Sequence, residues 1–301
     1  MSKRLLLTLM LAWSWSPRPV AVEAAAPAAP APGKKTARSR PASKPDPKAT
    51  ATGIPAAIRK RLKSNQATKR NIGSATVLTG NVCLIHLFLS DKGSSWTPKE
   101  KAEMLARTDT AVAFLRKQAK RYKKDFTACR EVLPEVAMDE TIPAKLFVNP
   151  GWIARAIGKA GYQSAPELVR KLRARHKADH AVIVVHVDKR CTSYNLSYYR
   201  NVRREFFAER VVMFTRYADG RPTCAASYAH EILHSFGAGE LYFPFDVSSF
   251  RKNRARKYFP NEIMFRVDYK IERLNVGDYT AYRVGWIDKL DEKYKLFEDA
   301  G

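Results

Sequence analysis

The stretch "SYAHEILHSFGAGELY", residues 227–242, constrains the fold more than any other part of the chain. His230 and His234 are four residues apart with Glu231 between them, and Ala229, Ile232, Leu233 and Phe236 around them are apolar. On a helix, residues four apart project from one face, so both imidazoles can share one metal ion. Glu231 lies offset around the same helix, near enough to hold a water on that ion without ligating it. A helix this apolar must be buried, and buried polar side chains need partners that offset their desolvation. The fold has to enclose this segment and bring a further ligand to it.

Gly237 falls three residues after His234, where a helix can end in a left-handed conformation and turn the chain sharply. The turn can return Glu240 to the same metal, giving three ligands and an open fourth position. Two other carboxylates compete for the third place, Glu262 in "PNEIM" and Asp246. Glu262 is placed similarly to the later-helix glutamate of the gluzincin class, but that resemblance implies an Asp four residues on, and Arg266 stands there. Such a site suits Zn2+, which lowers the pKa of bound water toward ~7 and polarises a carbonyl. Glu231 is then the general base that takes the proton and passes it to the leaving amine.

The surrounding pattern is α/β. "NVCLIHLFLSD" is an apolar run of strand length bounded by Gly80 and Asp91. A long helix follows: Thr97 can cap it, Pro98 suits its first position and Glu100 completes a capping box. Leu105, Val112, Leu115, Ala119 and Tyr122 recur at helical spacing and predict the face laid on the sheet. A strand around "CREVLPEVAMD", helices in "PGWIARAIGKAG" and "SAPELVRKLRARHK", and strands in "HAVIVVHVD" and "EFFAERVVMFTRY" complete the pattern. His86 and His186 fall inside strands and read as core histidines.

The chain begins with Lys3 and Arg4, an apolar run "LLLTLMLAWSW" and the small residues of "VAVEAAA". This reads as a signal peptide over residues 1–24, too short to span a bilayer, and predicts a secreted or periplasmic protein. Residues 25–69, rich in Ala, Pro and Lys, read as a disordered linker or tail, and residues 70–301 as the catalytic domain. Export would let Cys83, Cys129, Cys191 and Cys224 pair. Of three possible connectivities, Cys191 with Cys224 is favoured, since it would tie the histidine helix to the preceding strand region. The formal charge of +25 favours anionic surfaces such as cell wall, lipid or nucleic acid. No dedicated nucleic-acid motif accompanies it.

The run His-Glu-x-x-His-x-x-Gly-x-x-Glu, with Met264 in "FPNEIMFR" downstream, resembles the metzincin class of zinc metallopeptidases, and in particular secreted bacterial members with a carboxylate as third ligand. The resemblance implies a zincin-like α+β fold with an N-terminal mixed twisted sheet, backing helices, an active-site helix and a smaller C-terminal subdomain. It implies Zn2+ on His230, His234 and Glu240, a methionine turn at Met264 beneath the metal, and "GDYTAYRVGWID" as a helix behind it. The implied activity is hydrolysis of a protein or peptide substrate. Metzincins usually end the motif in His or Asp, and some place a tyrosine two residues after the methionine; here that position is Arg266. The tyrosine's role in holding the oxyanion would pass to Tyr269, Tyr279 or Tyr282, or be absent. Two other functions fit the same residues: a zinc amidase or peptidase acting on cell-wall peptides, and a basic polyanion-binding protein with a non-catalytic zincin domain.

Overall fold

The protein is described by a computed structural model that covers residues 8–9, 73–145, 150–196, 208–242 and 249–298. The expected linker and all but two residues of the expected signal peptide lie outside these segments. Thr8–Leu9 forms a short strand, β1, at one edge of the sheet. No helix among the described residues is long and apolar enough to cross a membrane.

The first apolar run becomes β2 (Gly80–Ser90), buried from Val82 onward. After the capping box at Thr97 and Glu100, α1 runs over Pro98–Arg121. The next expected strand is split into β3 (Phe126–Val132) and β4 (Val136–Ala137). Pro134, which has no N–H to donate, separates the two pieces. Then come α2 (Gly151–Lys159), α3 (Ala165–His176) and β5 (His180–Arg190). Strands β6 (Tyr194–Leu196) and β7 (Arg210–Arg216) precede the histidine helix α4 (Ala225–Ser235). Helices α5 (Ser249–Tyr258) and α6 (Asp278–Arg283) follow.

The seven strands form one mixed sheet in the order β1-β6-β7-β5-β2-β3, with β4 also on β2. Pairs among β2, β3, β4, β5 and β7 are parallel, while β6 runs antiparallel to β7 and to β1. The continuous burial of β2 and β5 follows from covers on both faces, the usual condition of parallel strands. On one face Val82, Leu84 and Phe88 pack with α1, α4 and the C-terminal segments. On the other, Ile85, Leu87 and Leu89 pack with α2 and α3. The architecture is therefore mixed α/β, as the pattern of runs predicts.

Two expectations change. The buried face of α1 is carried by Met104, Thr108, Ala111, Phe114, Leu115, Gln118 and Ala119, with Leu105, Val112 and Tyr122 at its margin. The favoured Cys191–Cys224 link is not formed, and all four cysteines are free thiols. Cys224 belongs to the core on the α4 side and Cys191 to the core on the α2–α3 side, so the sheet lies between them. His86 and His186 are wholly buried as expected, on neighbouring strands.

Candidate metal centre

Residues Ala226 to Ser235 of α4 are all buried. The helix packs against α1 and against β6. Asn195 on β6 anchors it by donating from Nδ2 to the Glu231 carbonyl (2.9 Å) and to Ser235 Oγ (2.7 Å). Gly237 has φ of 98°, the left-handed conformation that its position after the helix predicts. The Gly237 and Ala238 N–H groups donate to the carbonyls of His234 (2.9 Å) and Leu233 (3.1 Å), closing the helix end. The turn also places the Ala238 carbonyl 2.8 Å from His234 Nδ1.

His230 Nδ1 is likewise 2.8 Å from the Ile263 carbonyl. A carbonyl can only accept, so each Nδ1 carries the proton and each Nε2 of the neutral ring presents a lone pair. These lone pairs converge: His230 Nε2 is 2.9 Å from His234 Nε2. Glu240 Oε1 lies 3.0 Å from His234 Nε2 and 3.5 Å from His230 Nε2. Three acceptors facing one another in a buried site repel unless a cation or a proton lies among them. Glu240 Oε2 is buried with no hydrogen-bond partner among the described residues. His230, His234 and Glu240 thus form a group that could hold a metal ion, and the two backbone acceptors behind the rings fix their orientation.

Glu231 is almost wholly buried, and neither carboxylate oxygen has a hydrogen-bond partner among the described residues. Burial pushes it up to about 7, against the opposing charges of His230 and His234. A carboxylate held there can exchange a proton near neutral pH. Burial would depress His234, but the charge and hydrogen bond of Glu240 outweigh it and raise the imidazole. Burial likewise opposes ionisation of Glu240, and the two histidines overcome it. The two shifts have one cause, the attraction between the Glu240 carboxylate and the imidazoles beside it.

The rival ligands fall elsewhere or outside view. Glu262 is buried, and its carboxylate accepts from the Gly277 N–H. A side chain at Gly277 would strike that carboxylate, since an added Cβ would sit 2.6 Å from Glu262 Oε2. Asp246 lies outside the described residues. Met264 is wholly buried and its carbonyl accepts from the Leu241 N–H at 3.0 Å, one residue past Glu240.

Of the tyrosines expected near the site, Tyr269 donates to the Pro222 carbonyl (2.8 Å) and Tyr279 to the Phe297 carbonyl (2.6 Å). Tyr282 is half-buried on α6. The tyrosine at the site is Tyr242, whose hydroxyl lies 3.3 Å from Glu240 Oε1 and whose ring centroid is 6.2 Å from that of His230. The sequence signal for it is its position two residues after Glu240.

No protein-family model and no curated protein matches the chain.

Proposed function

We propose that the protein is an exported zinc-dependent peptidase with a metzincin-like catalytic domain. The observation that carries this reading is the convergence of His230 Nε2, His234 Nε2 and Glu240 Oε1 beside a buried, unpartnered Glu231. Two imidazoles and a carboxylate suit zinc, and an unpaired carboxylate next to them suits hydrolysis. Bound zinc would supply Lewis acidity toward the scissile carbonyl and toward water. Glu231 takes a proton from the attacking water and delivers it to the leaving nitrogen, so peptide and water become carboxylate and amine. The Tyr242 hydroxyl donates to the oxygen on which negative charge develops. Buried Met264 supports the turn that carries Glu240, through the bond from Leu241.

The charge of +25 extends the proposal to an anionic surface as partner. Helix α5, "SFRKNRARKY", contributes Arg256 and Lys257 exposed to solvent.

Elemental analysis of the purified chain and of His234→Ala tests the metal. One zinc per chain in the first and none in the second is expected; a metal-free wild type prepared without chelators, or stoichiometric iron in place of zinc, overturns the assignment. Cleavage of unstructured protein and of muropeptides by the zinc-loaded chain then separates a general peptidase from one confined to cell-wall peptides.

A further inference from the structure

Cys83 on β2 and Cys129 on β3 are register partners across a parallel pair. Partnered residues of adjacent parallel strands send their side chains to the same face. Both cysteines do so: Cys83 is wholly buried in the core under α2 and α3, and Cys129 packs against that core half-exposed on the edge strand. The Cys129 side chain lies near enough to act on the Cys83 thiol, raising it in concert with burial. Neighbouring strands lie about 4.8 Å apart, within the roughly 4.4–6.8 Å between Cα atoms that a disulfide spans. The other two cysteines are excluded as partners by position. Cys224 is on the opposite face of the sheet. Cys191 follows β5, where Ala181 is the residue beside Cys83; ten further residues of extended chain put it about 30 Å away.

We propose that Cys83 and Cys129 are a reversible thiol–disulfide pair, oxidised by exchange with an external disulfide, that staples the edge strand β3 to β2. The half-exposed Cys129 thiolate attacks the external disulfide, forming one mixed S–S bond and releasing one thiolate. The Cys83 sulfur then attacks the Cys129 sulfur, and the second half of the external disulfide leaves with the proton that Cys83 gives up. Two protein thiols are oxidised and one external disulfide is reduced to two thiols. Burial and the neighbouring Cys129 keep the Cys83 thiol protonated, so it is the resolving rather than the attacking sulfur. The crosslink closes a loop that contains the whole of α1, and α1 packs on the histidine helix α4. Oxidation therefore restrains the layer that supports the candidate metal centre, whatever reaction that centre performs.

The test is titration of the full-length chain with oxidised glutathione, followed by peptide mapping without reductant and by thermal melting. The expected product is one intramolecular link joining the peptides that hold Cys83 and Cys129. Its melting temperature should rise by roughly 10 °C and return on adding reductant. Cys224→Ser should behave as the wild type, and Cys129→Ser should show neither link nor rise. A glutathione adduct that persists on Cys129, a link to Cys191 or Cys224, or four thiols unchanged in excess oxidised glutathione would each overturn the proposal.

Discussion

The Nδ1 atom of His230 lies 2.8 Å from the carbonyl oxygen of Ile263, and the next carbonyl, that of Met264, accepts from Leu241 at 3.0 Å. Residues 263 and 264 therefore support the candidate centre twice, once behind a histidine and once beside Glu240. Neither bond involves a side chain of Ile263 or Met264, yet both depend on how those side chains pack, because buried Ile263 and Met264 fix where the carbonyls point.

Met264→Ala should consequently loosen the site as well as the core. Emptying a wholly buried methionine position costs about 2–5 kcal/mol, measurable by urea denaturation. Movement of the two carbonyls should also weaken zinc by about 10-fold or more, measured by competition with a chelating dye. Met264→Leu, which keeps most of the volume, should recover most of both. Equal zinc affinity in all three proteins would detach Met264 from the site.

On the proposed hydrolytic role, Glu231→Gln separates turnover from metal binding. The amide keeps the shape of the carboxylate but cannot take a proton, so turnover should fall about 10²–10⁴-fold while zinc content is unchanged. The sign of the stability change follows from burial. Glu231 is raised to about 7 from an ordinary 4.5. The folded metal-free protein therefore becomes less stable relative to the unfolded chain as pH rises from 4.5 through 7. The metal-free variant lacks that loss, so its melting temperature should exceed the wild type's at pH 8 by more than at pH 5.

Much of this layout is legible in the sequence because it rests on uninterrupted signals. The branched runs of β2 and β5, the capping box of α1, and the glycine that ends α4 all report local chemistry, and each lies where that chemistry predicts. The buried face of α1 was less legible because polar residues complete it. Thr108 turns its hydroxyl onto the Met104 carbonyl (3.0 Å), and Gln118 accepts from the Val276 N–H (3.2 Å), so each can be buried while reading as surface. The acceptors behind His230 and His234 are backbone carbonyls, which no residue identity announces. The cysteine pairing depends on which face of the sheet each strand presents, information that exists only after β2 and β3 are aligned.

Tyr242→Phe should leave zinc content intact, since the tyrosine reaches Glu240 only through its hydroxyl at 3.3 Å. If its hydroxyl donates to the developing oxyanion as proposed, its loss should lower kcat by about 10²-fold, with KM little altered. An unchanged kcat would restrict Tyr242 to orienting Glu240.

His86 and His186 make the fold acid-sensitive. Their rings are wholly buried, with His86 Nδ1 2.8 Å from His186 Nε2. Burial, with Arg130 adding to it, lowers His86 to about 3, and burial with His86 adding to it lowers His186. The unfolded chain takes up protons near 6.5 that the folded protein refuses, so stability present above that pH is lost as pH falls toward 3. For His86 the slope reaches about 1.4 kcal/mol per pH unit. Glu262, raised to about 7 by burial, acts in the opposite sense between 7 and 4.5, which makes a single melt ambiguous. The comparison that isolates the histidine is urea denaturation of wild type and His86→Leu across pH 4.5–7.5. The variant's stability should fall less steeply with acid than the wild type's.

Gly237 sits at φ of 98°, where an L side chain is strained, and its turn brings the Ala238 carbonyl to His234. Gly237→Ala should cost about 1–2 kcal/mol and weaken zinc, because a backbone that relaxes toward negative φ withdraws the carbonyl and shifts Glu240. Gly237→Asn provides the discriminating variant: asparagine tolerates the left-handed conformation better than alanine while adding more volume. If conformation is the cause, the asparagine variant should retain more stability and tighter zinc binding than the alanine variant. The reverse order would mean that space around the glycine, and not its φ, brings Glu240 back to the histidines.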